Sequence, residues 1–164
     1  MSASLETVRL ILKLDTPADL RAKIASMPPE VRAQLSADWL AKAEAAEDAS
    51  PWVHGFSIFL TETNAPVGQC GFKGPPENGA VEIAYGVDPE RQGKGYATEA
   101  AAALTNFAFT DDRVSVVRAH TLPEQNASTR VLTKCGFRRI GEVIDPEDGP
   151  VWRWEKTRWD HTSG

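Results

Sequence analysis

Ala84-Tyr85-Gly86-Val87-Asp88-Pro89-Glu90-Arg91-Gln92-Gly93-Lys94-Gly95-Tyr96-Ala97 holds the transition that decides the fold. Val81 to Val87 reads as a strand, Pro89 interrupts it, and two closely spaced glycines follow. From Gly93 to Phe109 the residues Ala97, Ala100, Ala101, Leu104 and Phe107 form a stripe at helical spacing. A strand therefore ends in a glycine turn that starts a helix, which is anion-binding geometry. The first N–H groups of a helix lack internal acceptors, and glycine lets a diphosphate reach them without meeting a Cβ. Gln92, Gly93, Lys94, Gly95, Tyr96 and Ala97 are the candidate main-chain donors, and Arg91 and Lys94 add local positive charge. Two nucleotide patterns fail here: a Walker A loop needs glycine at Asp88 and a hydroxyl residue at Gly95, and a dinucleotide fingerprint needs a small residue at Thr98.

Working outward, Glu6 to Leu14 alternates as a strand, and Thr16-Pro17 opens a helix with Thr16 as its N-cap. A second helix follows Pro28-Pro29, with Val31, Leu35, Trp39, Leu40 and Ala43 on one stripe. Trp52 to Thr61 and Val67 to Lys73 read as a hairpin around Thr63-Asn64-Ala65-Pro66. Beyond the central helix, Val114 to Thr121 is a strand and Asn126 to Cys135 a helix stopped by Gly136. Phe137 to Val143 and Val151 to Arg158 complete the pattern. Mixed strands and helices predict an α/β (α+β) sheet with helices on both faces, in one domain spanning residues 1–164.

The 164 residues are 41% apolar, with 12 glycines, which is the composition of a globular chain. The longest wholly apolar run, Ala100 to Leu104, falls far short of the roughly 20 residues of a membrane span, and the N-terminus lacks a basic-then-apolar signal pattern. A soluble, cytoplasmic protein is expected. Cys70 and Cys135 show neither ligand spacing nor a pairing pattern, so neither a metal nor a disulfide is expected. The net charge of -5 argues against nonspecific nucleic-acid binding. Residues 1–112 carry net -7 and residues 113–164 net +2, so an anionic ligand must be held by local groups.

At the glycine turn the residues resemble the GNAT acetyltransferase superfamily, whose pattern R/Q-x-x-G-x-G/A binds the diphosphate of coenzyme A. Glu90 stands at the R/Q place, a departure that resembles the ribosomal-protein N-acetyltransferase branch. Asn126-Ala127-Ser128-Thr129-Arg130-Val131-Leu132-Thr133-Lys134-Cys135-Gly136-Phe137 is similar to that branch's second motif, and Leu5-Glu6-Thr7-Val8-Arg9-Leu10-Ile11-Leu12 to its opening strand. The resemblance spans roughly residues 5 to 158. It implies a mixed, mostly antiparallel sheet of about seven strands, splayed between the fourth and fifth, where the pantetheine arm of acetyl-CoA inserts.

The resemblance also implies direct acetyl transfer from acetyl-CoA to a primary amine in a ternary complex. Glu82, in the strand leading to the glycine turn, is the candidate base or water-orienting carboxylate; alternation alone reads it as a solvent-facing strand residue. Where the superfamily often carries a tyrosine that protonates the departing thiolate, this chain has Leu132, which leaves Ser128 as the hydroxyl of that helix's first turn. Asn126 reads as a helix cap, and the resemblance adds a hydrogen bond to pantetheine. Val87 is the expected main-chain donor to the thioester carbonyl, and Tyr85 shapes the acceptor side; both also read as plain core. His54, His120 and His161 are dispersed, with no partner at a recognisable spacing. Val151-Trp152-Arg153-Trp154-Glu155 alternates as a strand with one packed and one wet face.

The expected acceptor is a protein N-terminal α-amine or a small-molecule amine, approached past the two N-terminal helices by a monomer or homodimer. The acidic residues Asp38, Glu44, Glu47 and Asp48 favour a cationic acceptor if they line the cleft, and otherwise form a solvated face. The rival reading is a noncatalytic acyl-CoA-binding regulatory module that keeps the glycine turn without acid or base.

Overall fold

The computed structural model describes residues 4–33, 37, 51–52, 54–146 and 149–158. Eight strands form one open sheet: β1 (Ser4–Glu6), β2 (Leu10–Leu14), β3 (Phe56–Leu60), β4 (Pro66–Phe72), β5 (Ala80–Val87), β6 (Val116–Thr121), β7 (Arg138–Asp145) and β8 (Gly149–Thr157). Their order is β1-β2-β3-β4-β5-β6-β8-β7, antiparallel throughout except for the parallel β5–β6 pair. Among the described residues the α-helices include α1 (Pro17–Ser26), the single turn α2 (Pro29–Arg32), α3 (Tyr96–Phe109) and α4 (Ala127–Lys134).

Alternation builds the core. Leu10, Leu12, Phe56, Ile58, Val67, Val81, Ile83 and Val117 turn one face of the sheet toward Ala100, Ala101, Leu104 and Ala108 of α3. The alanines let α3 lie close to β5. Trp52, ahead of β3, stacks its ring 4.7 Å from Phe72 and 5.5 Å from Phe107, closing that end of the core.

The single strand expected over Glu6–Leu14 is two strands. Thr7 closes a turn by donating its N–H to the Leu10 carbonyl (2.9 Å), while its hydroxyl accepts from the Leu10 N–H (3.0 Å). That turn throws Val8 almost fully into solvent, so Val8 belongs to no strand stripe. The strand expected from Trp52 begins only at Phe56, because Gly55 at φ +76° breaks the extended run. Leu35, Trp39, Leu40 and Ala43 of the expected second helix, the acidic Asp38, Glu44, Glu47 and Asp48, and His161 lie outside the described residues.

Gly68 of β4 faces Val87 of β5 at close quarters, and a Cβ on it would sit 2.1 Å from the Gly86 carbonyl oxygen. Gly68→Ala must force β4 and β5 apart. We expect a cost of about 1–3 kcal/mol and a melting temperature about 2–10 °C lower, read by thermal denaturation.

Candidate active site

β5 is shared unequally between its neighbours. It pairs with β4 from Ile83 to Val87, and with β6 only from Ala80 to Glu82. Beyond Glu82–Arg118 the two parallel strands separate, opening the sheet between the strands expected as fourth and fifth, here β5 and β6. Asp88 donates to the Val67 carbonyl (2.8 Å) and Lys73 to the Glu82 carbonyl (2.9 Å), which makes these the hydrogen-bonded pairs of the β4–β5 ladder. By alternation, Tyr85 and Val87 turn their main-chain N–H and C=O toward the opening. The Val87 carbonyl accepts from Gln92 Nε2 (2.9 Å), whereas no acceptor lies on its N–H among the described residues.

At the end of β5, Pro89–Arg91 forms one 3-10 turn, and Gly93 (φ +79°) and Gly95 (φ +84°) take left-handed conformations that a side chain disfavours. α3 then starts at Tyr96, and its first helical hydrogen bond runs from Glu99 N to the Gly95 carbonyl (3.1 Å). The consecutive main-chain N–H groups from Gly93 to Thr98 make no hydrogen bond among the described residues. Gln92, Gly93, Lys94 and Gly95 are exposed, and nothing lies within 4 Å of where a Gly93 Cβ would stand. Arg91 and Lys94 flank this cradle in an acidic chain.

The cradle is braced from the β1–β2 turn. Glu99 of α3 accepts from the Thr7 hydroxyl, the Arg9 N–H (2.9 Å) and Arg9 Nε (2.9 Å). Arg9 Nη1 continues to the Lys94 carbonyl (2.8 Å), and its guanidinium lies 4.7 Å over the Tyr96 ring. Burial pushes the Glu99 carboxyl upward, but the bonds from Thr7 and Arg9 outweigh it and hold it below its ordinary value. A carboxyl so lowered contributes stability above its unfolded-state value, and loses it as pH falls through the folded one. Glu99→Gln should therefore cost on the order of 1–2 kcal/mol at neutral pH, given solvent screening of Arg9. The difference from the parent should begin to shrink as the pH falls below about 4, as urea titrations across pH would show.

α4 begins with a reciprocal cap: Asn126 Oδ1 accepts from Thr129 N (3.0 Å), and Thr129 Oγ1 accepts from Asn126 N (3.0 Å). The expected cap is present, and the amide nitrogen of Asn126 stays outside it. Tyr85 reaches from β5 to this helix, its hydroxyl donating to the Ser128 carbonyl at 3.4 Å. Leu132 is fully buried in the core and offers no polar atom.

Glu82 is not an isolated wet residue. Its Oε2 meets Lys73 Nζ at 2.8 Å and His120 Nδ1 at 3.0 Å, and only a quarter of the side chain is exposed. Arg153 Nε donates to His120 Nε2 (3.1 Å). Because a guanidinium only donates, Nε2 is the bare nitrogen and Nδ1 carries the proton toward Glu82. The imidazole is thus held in one neutral tautomer by a group on either side. Oε1 of Glu82 has no protein partner among the described residues.

The structure brings Tyr85 to Ser128 in the helix that Asn126 caps, places Gln92–Ala97 beyond the end of β5, and leaves Glu82 where the β5–β6 pairing ends. Sequence reading found no partner for His120, saw Arg153 only as part of an alternating strand, and gave no role to Lys73, Arg9 or Glu99. His120 joins Glu82 only through the β5–β6 and β6–β8 registers, which no local pattern announces. For Arg9 a signal existed in the Leu5–Leu12 motif. Among the described residues no group of three or more His, Cys, Asp or Glu could hold a metal, and no helix is long and apolar enough to cross a membrane.

A family model described as an acetyltransferase (GNAT) domain matches residues 9–138. The chain belongs to the GNAT acetyltransferase family. Among curated relatives, an uncharacterized N-acetyltransferase of Bacillus licheniformis, p20, is 36% identical over 93 residues, 56% of this chain and 52% of that protein. The match thus spans about half the length of that relative. Two solved structures share the fold. RimL, titled a ribosomal L7/L12 alpha-N-protein acetyltransferase in complex with coenzyme A, superposes with TM-score 0.68 at 17% identity, covering 94% of this chain and 98% of that one. Aminoglycoside acetyltransferase AAC(6')-Ib, in complex with coenzyme A and kanamycin, gives TM-score 0.65 at 22% identity over the same shares. The mixed, mostly antiparallel GNAT sheet is as the sequence implied, with an eighth strand gained by the split of the first.

Proposed function

We propose that this GNAT chain is an acetyl-CoA-dependent N-acetyltransferase that moves the acetyl group directly to a primary amine in a ternary complex. The observation that carries the reading is the run of N–H groups, Gly93 to Thr98, that find no acceptor among the described residues and follow the stretch of β5 left unpaired by β6. Gln92, Gly93, Lys94, Gly95, Tyr96 and Ala97 hold the diphosphate, with Arg91 and Lys94 supplying charge. Several charge-assisted bonds of about 1.5–3 kcal/mol each are enough, after the entropy of association, for micromolar binding. The Val87 N–H and the free amide nitrogen of Asn126 receive the pantetheine arm. A strand rises about 3.3 Å per residue, so Val87 stands roughly 16 Å from Glu82. A base and an oxyanion donor must meet one carbonyl, which shifts that donor from Val87 inward to the Tyr85 N–H, about 10 Å from Glu82 along the strand. Ser128 adds a hydroxyl on the α4 side.

Glu82 accepts the amine's proton at Oε1, directly or through water, while Lys73 and His120 fix its other oxygen. At pH 7 a lysine-like amine is neutral about once in 2,500 molecules and an α-amine roughly one time in ten. The base matters more for the first. A protein N-terminal α-amine, the substrate type named in the RimL title, and a small amine such as the aminoglycoside of AAC(6')-Ib are both acceptors that this cleft suits. The reaction needs no metal, and we propose a cytoplasmic monomer or homodimer that engages neither nucleic acid nor membrane.

The test is thiol release from acetyl-CoA across a panel of α-amino peptides, polyamines and aminoglycosides. Acceptor-stimulated release supports the enzyme; tight coenzyme A binding without any such release assigns the chain to a noncatalytic acyl-CoA-binding module.

A further inference from the structure

The face of the sheet turned away from α3 is charged where β5 and β6 part. Ala119 and Trp154 oppose each other across β6 and β8 and are buried in the core with α3. By alternation the flanking pairs Arg118–Glu155 and His120–Arg153 project from the opposite face. Glu82 shares that face, since its carboxylate meets His120. Two ion pairs balance there, Lys73 with Glu82 (2.8 Å) and Arg118 with Glu155 (2.8 Å). Arg153 is left over. Among the described residues its side chain forms one hydrogen bond and no ion pair, and that bond, from Nε, ends on the uncharged Nε2 of His120. We infer that Arg153 binds an anionic group of the acceptor, so that the substrate is a compact amine carrying a carboxylate or phosphonate a few bonds from its nitrogen, as in a free amino acid. The inference rests on the acetyltransferase reading above and narrows its acceptor.

Charge is the first support. The half-buried guanidinium has lost part of its hydration, and an imidazole nitrogen returns a hydrogen bond but no counter-charge. In a chain of net charge -5, a cation without a carboxylate partner among the described residues is a place for an anion from outside. The shape of the group agrees. With Nε engaged by His120, Nη1 and Nη2 remain, a fork that suits two oxygens of a carboxylate or phosphonate.

Position sets the reach. His120 lies two residues beyond Arg118, the last residue of β6 paired with β5, so the His120–Arg153 pair borders the parted strands. The imidazole is wedged between base and cation, 3.0 Å from Glu82 Oε2 and 3.1 Å from Arg153 Nε. Two hydrogen bonds and one ring thus separate carboxylate from guanidinium, on the order of 8 Å. An amine at Glu82 Oε1 and an anion at the Nη groups each take up about 3 Å as a hydrogen bond, which leaves the length of an amino acid between them. A polyamine or aminoglycoside would set a further ammonium against Arg153, and like charges repel.

The test is thiol release from acetyl-CoA with matched acceptors: alanine, β-alanine and 2-aminoethylphosphonate against alaninamide, ethanolamine and spermidine. Removing a carboxylate leaves more of the neighbouring amine neutral, so a preference for the acid runs against intrinsic reactivity. In the parent, kcat/KM for the best acid is expected to exceed that for its uncharged counterpart at least about 10-fold, and in Arg153→Gln the two should agree within about twofold. Arg153→Lys keeps the charge without the fork and should fall between. A merely structural Arg153, acting through His120 on Glu82, would lower both rates together and leave their ratio unmoved. Should Arg153→Gln fail to fold, the parent decides: propionate, which is alanine without its amine, should compete with the acceptor and not with acetyl-CoA. Uncharged amines, polyamines or peptides used as well as the acids, a ratio preserved in Arg153→Gln, or no competition by propionate overturns the inference and leaves the acetyltransferase reading in place. Absence of release with every acceptor, in this panel and the wider one above, overturns both.

Discussion

Glu82→Gln is expected to lower kcat by about 10²- to 10⁴-fold, the range for removal of a positioned general base, while the KM for acetyl-CoA stays within about twofold. Glutamine is nearly isosteric and can still accept from Lys73 and His120, the partners that hold Oε2 at 2.8 and 3.0 Å. What it cannot do is take a proton at the second oxygen. The deficit should be larger for lysine-like acceptors than for α-amines, since fewer of the former are already neutral. It should also shrink as pH rises and the acceptor deprotonates unaided. A variant with parental kcat on both acceptor types would make Glu82 a structural ion-pair residue.

Gly95→Val should raise the KM for acetyl-CoA by about 100-fold with a smaller effect on the thermal midpoint. Gly95 is the N-cap of α3 at φ +84°, where an L side chain costs about 1–2 kcal/mol and a β-branched one more. Its new Cβ would stand 3.1 Å from Arg9 Nη2, within the brace that Arg9 makes to Lys94 and Glu99. To relieve both, the turn must rotate its N–H groups out of register, and the lost charge-assisted bonds appear as weaker binding. Calorimetric titration with coenzyme A measures this directly. Unaltered affinity in Gly95→Val would contradict the role given to the turn.

The parts of this molecule that local sequence disclosed are those that local physics determines. The glycine turn, the α3 stripe, the Asn126 cap and the strands β4 through β6 follow from backbone freedom, periodicity and capping, and each appears within a few residues of where it was expected. Ends shifted where one side chain bonded its own backbone, as Thr7 does in splitting the first strand. The candidate chemistry was legible in part. Glu82 could be singled out, but its network comes from three other segments: its partners Lys73, just beyond β4, and His120, from β6, and Arg153 of β8, which donates to His120. Only the sheet's order makes them neighbours. The Arg9–Glu99 brace joins residues ninety positions apart and is hidden for the same reason. Tyr85 was read as a wall of the site because its meeting with Ser128 depends on how α4 settles against the parted strands.

A crystal structure of the protein grown with acetyl-CoA tests the central claim most directly. The account predicts diphosphate oxygens within hydrogen-bond distance of main-chain nitrogens between Gln92 and Ala97, with the acyl end running between β5 and β6 toward Tyr85 and Glu82. Diphosphate bound elsewhere, with the Gly93–Thr98 amides facing only water, would contradict it.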